Sequence, residues 1–475
     1  MGFTKVNLTD FVNDTNRQST GRCVSMAIKL SIPAMIAQLS AIIMEYIDAA
    51  MVGSLGANAS ASIGLVATTT WLFFGLCSAV AAGFSVQVAH YIGARRYEEA
   101  RQLVRESLSA TLLFSMILMG IGILLSDSLP AMLGGNSDIN PGATSYFFIF
   151  ALSMPAWQLY VTSAGLLRAG GNMTVPGLMG ALMCLLDVLF NFFFIFPTRQ
   201  VGILGIDVTI PGAGMGVTGA AIGSALAELT IGVIVARYLI FSSRELKITG
   251  THGSFIPRIK TLTKAFRIGF PMGLERFITS AAQIMLTIIV APLGTFAIAA
   301  NAFAITAESI CYMPGYGIAD AATTLVGQSL GAGNRALARR MAYVTIGMGM
   351  AIMTFLGIIM YMAAPVMIGV MTPVNEILEL GVSALRIEAF AEPMFAAAIV
   401  AYGVFVGAGD TVLPCSFNLG CMWVIRITLA AILAPRMGLD GVWLAMAIEL
   451  SCRGLLFLWR LRGDRWLNNS KKITL

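Results

Sequence analysis

The chain has 475 residues, 57% of them hydrophobic and 11% charged, with a mean hydropathy of +0.82. A soluble domain carries about 25% charged residues, so the composition excludes an ordinary water-soluble globule and leaves a protein that faces lipid. The net charge of +6 is placed by the loops between apolar segments and calls for no nucleic-acid partner.

Only α-helices and closed β-barrels satisfy every backbone polar group within a bilayer. Barrel strands would alternate apolar and polar residues in segments of about ten. Here the apolar runs are continuous over about 20 residues, the length that crosses the hydrocarbon as a helix. Residues 1–26 form a polar tail without the basic-then-apolar layout of a cleaved signal peptide. Six segments follow at 27–53, 60–92, 105–126, 143–168, 175–197 and 215–242, making a first lobe over 27–242. A polar, basic linker spans 243–265. Six more segments, at 266–291, 298–330, 341–366, 378–406, 411–434 and 439–462, make a second lobe over 266–462, and 463–475 is a polar tail. The expected fold is an all-α polytopic membrane protein with twelve transmembrane helices in two pseudo-symmetric six-helix lobes.

Placing both termini in the cytoplasm, as an even number of spans requires, puts 25 of the 30 Lys and Arg residues on the inner side. Only Arg199 and Arg436 fall outside, and Arg276, Arg386 and Arg426 fall within helices. That asymmetry obeys the positive-inside rule. It predicts a multi-pass plasma-membrane protein, in the inner membrane if the source is bacterial. The seven cysteines are scattered and read as small buried hydrophobes, not as a disulfide framework or a metal site. No Walker A motif suggests direct use of ATP.

The two lobes repeat each other. Pro33 and Pro271 open the first and seventh segments, residues 88–94 match 326–332, and Pro155 matches Pro393. Ala169, Gly170, Gly171, Asn172 and Pro176 match Gly407, Ala408, Gly409, Asp410 and Pro414; every pair lies 238 residues apart. Beyond Pro414 the offset falls to about 222, because the first lobe has a longer outer loop over 197–214. Six helices per half make the repeats parallel, related by an axis along the membrane normal. Two such lobes enclose a cleft that can open to either face by rocking, which points to a secondary transporter.

Ionisable residues within membrane helices are costly and mark function by default. Glu45 and Asp48 stand three apart on the first segment and share a face. Asp187 and Asn191 share a face of the fifth. Two acids and an amide from separate helices could hold a proton or Na⁺, or could simply join the helices by hydrogen bonds. In the second lobe Glu275 stands nine residues into its segment, about 14 Å deep at 1.5 Å per residue. Glu388 and Glu392 are expected on one face of the tenth, with Arg276 or Arg386 neutralising an acid. Glu228 is a further first-lobe candidate, and Glu308, Asp320 and Glu449 are weaker ones. Repeat positions carry no matching acids: Asp48 falls on Leu286 and Asp187 on Ile425, so an ion site belongs to one lobe, expected to be the first.

The run Asp48-Ala49-Ala50-Met51-Val52-Gly53-Ser54-Leu55-Gly56 resembles the D-x-x-M-x-G-x-L-G signature of the MATE (multidrug and toxic compound extrusion) family. The stretches ending at Gly93-Ala94 and at Gly331-Ala332-Gly333-Asn334 are similar to that family too, as are Leu167 to Asn172 and Gly407 to Thr411. The likeness runs from about residue 25 to 460. It implies efflux of small organic, often cationic, compounds in exchange for H⁺ or Na⁺, with no cofactor and no enzymatic activity. It implies that Asp48 is the first-lobe cation carboxylate, with Asp187 and Asn191 on the fifth helix and the Ser224 hydroxyl on the sixth beside it. The family's second-lobe acids would align near Thr279 and Phe395, which are not acidic; Glu275 and Glu392 stand one turn away, so Glu275, Glu392 and Glu388 form the second-lobe candidate set for cation or substrate. The expected partners are drug-like organic cations and the bilayer, and the expected state is a monomer. The rival within the superfamily, a lipid-linked-oligosaccharide flippase, would favour a strongly cationic cavity and often fourteen helices.

Overall fold

A computed structural model describes residues 8–14, 19–203 and 206–469. After a short helix α1 (Leu8–Asn13), the first half contains α2 (Thr20–Gly53), α3 (Ala57–Gly93), α4 (Tyr97–Leu125), the single turn α5 (Leu129–Met132), α6 (Asn140–Ala169), α7 (Thr174–Ile195) and α8 (Gly216–Arg237). The second contains α9 (Ile259–Val290), α10 (Thr295–Gly331), α11 (Arg335–Gly369), α12 (Asn375–Ala389), α13 (Glu392–Gly407), α14 (Val412–Gly420), α15 (Thr428–Met437) and α16 (Leu439–Arg462), followed by the turn α17 (Arg465–Asn468). Among the described residues eleven helices are long and apolar enough to cross a membrane, and α12 with α13 makes a twelfth, bent by 61°. The expected helix count and the two-lobed plan are present.

The halves pack as the repeat requires. Within the first, α2 lies on α7, and α6 lies on α3 and α8; within the second, α10, α11, α13 and α16 form the core. Between them α2 packs on α10 and α3 on α9, and those two contacts are exchanged by the repeat. At the ends of α3 and α10 the lobes touch backbone to backbone. A Cβ at Gly93 would stand 2.0 Å from the Gln328 carbonyl oxygen, and one at Gly331 2.1 Å from that of His90. Beside this crossing the His90 Nε2 lies 2.8 Å from the Gly407 carbonyl oxygen, and the Gln328 Nε2 donates to the Ala169 carbonyl at 2.7 Å. His90 and Gln328 are repeat mates, as are Ala169 and Gly407. Beside the crossing the two lobes thus make one contact twice.

Four features depart from the sequence expectation. The tenth span is not one helix: it breaks between Ala389 and Glu392. Pro393 follows directly, and a proline both lacks an N–H and disfavours a helical residue before it. Glu388 therefore ends α12 while Glu392 begins α13, so they flank a bend and do not line one face. The eleventh span contains a π-helical stretch, Cys421–Ile427. The outer loop folds as an antiparallel hairpin of β1 (Pro197–Ile203) and β2 (Ile206–Ala213). The N-terminal tail is also partly built in. Leu8 and Val12 of α1 are buried against Leu325 and Met173, and the Asn13 amide donates to the Gly93 carbonyl at 3.1 Å. Lys5, Arg17, Lys471 and Lys472, which entered the charge asymmetry, lie outside the described residues.

The linker is held against the first lobe. Leu246 and Ile248 are buried. Arg105, one of the inner-side charges, is itself buried, and its Nη2 donates to the carbonyls of Ile248 at 3.0 Å and Thr251 at 2.8 Å. Glu106 accepts from Arg258 Nε at 2.6 Å. Hydrogen bonds from a charged group contribute about 1.5–3 kcal/mol. Arg105→Ala is expected to release the linker, so that trypsin cuts faster at the exposed Lys247 and Arg258 and the Tm falls. Unchanged cleavage would show that the apolar residues alone hold it.

Candidate functional site

The first-lobe acids converge because small residues let their helices approach. A Cβ on Gly177 of α7 would stand 2.5 Å from the Pro33 carbonyl oxygen of α2, and one on Gly223 of α8 would stand 2.1 Å from Asn191 Oδ1. Close approach through small residues is a common way for membrane helices to associate. Across these contacts Asn191 Nδ2 donates to Asp48 Oδ1 at 2.9 Å and to Asp187 Oδ2 at 3.1 Å. The Asp48 and Asp187 carboxyls are within hydrogen-bonding reach of each other, and the Ser224 hydroxyl reaches Asp187. Asp187 and Asn191 are 2% and 1% exposed.

Two carboxylates in contact repel unless a proton or cation lies between them. Asn191 Oδ1 is buried without a hydrogen-bond partner. The cluster therefore offers carboxylate oxygens, an amide oxygen and a hydroxyl, all hard donors of the kind that suit H⁺ or an alkali cation and not a thiophilic metal. Asp48, Asp187, Asn191 and Ser224 are brought together here. Glu45 is not part of this hydrogen-bonded set. It is exposed and lies within electrostatic reach of Tyr146 of the first lobe and Tyr312 of the second.

Of two further residues near this site, Tyr146 escaped the sequence reading and Glu228 was named there without a place. Tyr146 of α6 lies within electrostatic reach of Asp48, Asp187, Glu45 and Glu228. With 27 Phe and 11 Tyr in the chain, no single aromatic residue carries a signal. Glu228, one turn beyond Ser224, is buried in contact with Ser153, and its Oε2 has no partner. Its place in an apolar helix was a visible signal, but only packing shows that it faces the other acids.

The second-lobe candidates separate into two groups. The Glu275 carboxyl accepts from Tyr402 Oη at 2.8 Å and Asn418 Nδ2 at 2.6 Å. Glu388 and Glu392 lie elsewhere, near Glu308, with their oxygens buried and unpartnered. The arginine facing Glu308 and Glu388 is Arg426, while Arg453 Nε pairs with Glu449 at 3.0 Å. Arg386, expected to neutralise an acid, instead covers the Tyr361 ring at 5.3 Å. The bend at 389–392 causes this, because it turns α12 and its last arginine away from the start of α13.

A family model described as MatE matches residues 33–193 and again 271–432. The two matches start 238 residues apart, the offset of the internal repeat, and together cover more than half of the chain. The chain is 24% identical over 441 residues to "Probable multidrug resistance protein NorM" of Thermotoga maritima, covering 92% of each protein. It is 26% identical over 454 residues to the protein of that name from Pseudomonas aeruginosa, covering 91% of this chain and 88% of that one. Its fold is similar to that of a MOP superfamily transporter from Pyrococcus furiosus, with a TM-score of 0.86 at 21% identity over 98% of this chain and 99% of that one. It is also similar to the MATE transporter VcmN of Vibrio cholerae in its bent form, with a TM-score of 0.84 at 17% identity over 96% and 100%. At such identities the two structures speak to the fold alone.

Proposed function

The chain belongs to the MatE (multidrug and toxic compound extrusion) family of transporters, and on that premise we propose that it exports small amphipathic organic compounds in exchange for H⁺ or Na⁺. The observation that carries the exchange is the Asp48–Asn191–Asp187 cluster. Without a cation the two carboxylates repel; with one they are drawn together, and α2 moves with respect to α7. Because α2 also packs on α10 of the other lobe, that movement reaches the cleft. Cation uptake from outside favours release of substrate there, and loss of the cation inside favours rebinding. Only a difference in affinity between the two states can shift them. The lobes are 27–242 and 266–462, joined by the linker 243–265, with the basic ends and both tails in the cytoplasm of a plasma membrane. One chain carries both lobes and acts as a monomer.

The test is dye efflux from proteoliposomes under an imposed H⁺ or Na⁺ gradient, one at a time. One gradient is expected to drive efflux, and Glu275→Gln to retain it, since Glu275 lies in a separate hydrogen-bonded group. Efflux that is equally fast with no gradient would overturn the exchange reading.

A further inference from the structure

Where the start of α11 meets the start of α2 and the turn α17, the structure holds an open cavity of about 700 Å³. The helix α2 belongs to the first lobe and α11 to the second, and the two pack on each other. The cavity therefore lies on the seam between the lobes, at their basic ends. Among the described residues that line it three are arginines, Arg335, Arg339 and Arg340, and one is an acid, Asp464. Arg339 Nη2 pairs with Asp464 Oδ1, and Arg340 reaches the Cys23 thiol of α2. The pairing leaves the lining with an excess of positive charge. Thr20, also in the lining, is the first residue of α2, and Arg335 is the first of α11. A helix N-terminus favours an anion, so both helix ends add to the field of the arginines.

Toward the middle of the membrane the same faces turn apolar. Steps of four residues from Thr20 along α2 give Val24, Ile28 and Ile32, all exposed and all on one face. The same steps from Arg339 along α11 give Tyr343, Gly347, Ala351 and Phe355, again all exposed. A Cβ on Gly347 would meet nothing within 4 Å. Tyr343, which lines the cavity, stands about 12 Å inside the start of α11 at 1.5 Å per residue. Aromatic residues with a polar tip collect at that level, between headgroups and hydrocarbon. A cationic cavity thus opens onto two apolar stripes that run down into the bilayer.

We infer that this cavity binds the headgroup phosphate of an anionic phospholipid, with Arg335 and Arg339 on the phosphate and the acyl chains along α2 and α11. Arginine's planar fork matches phosphate oxygens through two parallel hydrogen bonds. Basic pockets between membrane helices at headgroup level bind such lipids. A free phosphate would use the arginines but not the apolar stripes. A zwitterionic lipid would use the stripes but bring its own ammonium group toward the arginines. An anionic lipid matches both, and once bound it touches both lobes.

The test uses the full chain, purified in dodecyl maltoside and titrated with dioleoylphosphatidylglycerol or dioleoylphosphatidylcholine, with bound lipid counted by native mass spectrometry. One phosphatidylglycerol is expected to be retained at concentrations where phosphatidylcholine is not. Each arginine near the membrane surface contributes about fivefold in affinity. Arg335→Gln is therefore expected to weaken phosphatidylglycerol about fivefold and to leave phosphatidylcholine unchanged, while Arg335→Lys retains most of the preference. Asp464→Asn removes the one acid of the lining and is expected to tighten phosphatidylglycerol by a similar factor, a gain that misfolding does not produce. Equal retention of the two lipids by the wild type would overturn the inference, as would unchanged phosphatidylglycerol binding in both Arg335→Gln and Asp464→Asn. Displacement of the bound lipid by an equal concentration of sodium phosphate would assign the cavity to the free anion and overturn the lipid reading.

Discussion

Asp48→Asn is expected to lower gradient-driven efflux to the leak of protein-free vesicles while the variant still folds. The asparagine keeps the size of the side chain and still offers Asn191 an oxygen. What it removes is one of the two negative charges that a cation must neutralise, and the repulsion between α2 and α7 goes with it. The state without a cation then no longer differs from the state with one, and a carrier whose two states do not differ in this way cannot couple ion flow to export. Substrate binding in the cleft should persist, because Asp48 lies within the first lobe and not on the seam. The assay pairs efflux under the driving gradient with dye binding and a melting curve. Full efflux by this variant would remove Asp48 from the mechanism.

Gly93→Leu is expected to separate the lobes at their basic ends and to stop transport. A side chain there meets the Gln328 main chain, with the built Cβ 2.0 Å from its oxygen and 2.7 Å from its carbonyl carbon. Backbone cannot rotate out of the way as a side chain would. Over-packing usually costs about 1–3 kcal/mol, and a contact this close belongs at or above the upper end. The cheapest relief is to part α3 from α10, which breaks the His90 and Gln328 bonds. Spin labels at Glu98 and Arg335, one on each lobe, should move apart by several ångström. An unchanged label distance with full transport would show that the crossing is not needed in the working cycle. The repeat mate Gly331→Leu should behave alike, since its Cβ would meet the His90 main chain.

The parts legible in the sequence were those written as local spacing or as length. Twelve apolar runs and a constant offset of 238 residues required two six-helix lobes. Asp48, Asp187 and Asn191 stood out because polar residues three or four apart in an apolar helix must point somewhere together. The remainder depends on how helices approach one another. Gly223 makes room for the Asn191 amide, and nothing in its own segment says so. The break before Glu392 was missed although Pro393 was noted, because the apolar run continues across it and hydropathy has no term for backbone direction. Arg105 counts in sequence only as one of the inner-side charges, whereas it donates to carbonyls of a linker 143–146 residues away. Arg386 was offered as a neutralising partner because it is near the acids in sequence, and the bend takes it elsewhere.

The doubled bond at the basic ends says something about ancestry. Two copies of one half that meet about a twofold axis form an isologous interface, in which every contact occurs twice. A donor from one copy reaches a main-chain carbonyl of the other, and the reverse bond follows without further invention. Such a contact would have held together a dimer of half-length chains before any linker joined them. It also tolerates drift in a way that a side-chain pair does not. The acceptor is a carbonyl present whatever residue stands there, so one donor could become histidine and the other glutamine while both bonds survived. A pair of side chains such as Asp48 and Asn191 has no such freedom, since both partners are needed by identity. Fusion let the two halves keep this common contact while their buried acids diverged, so that Asp48 and Asp187 have no acidic repeat mates.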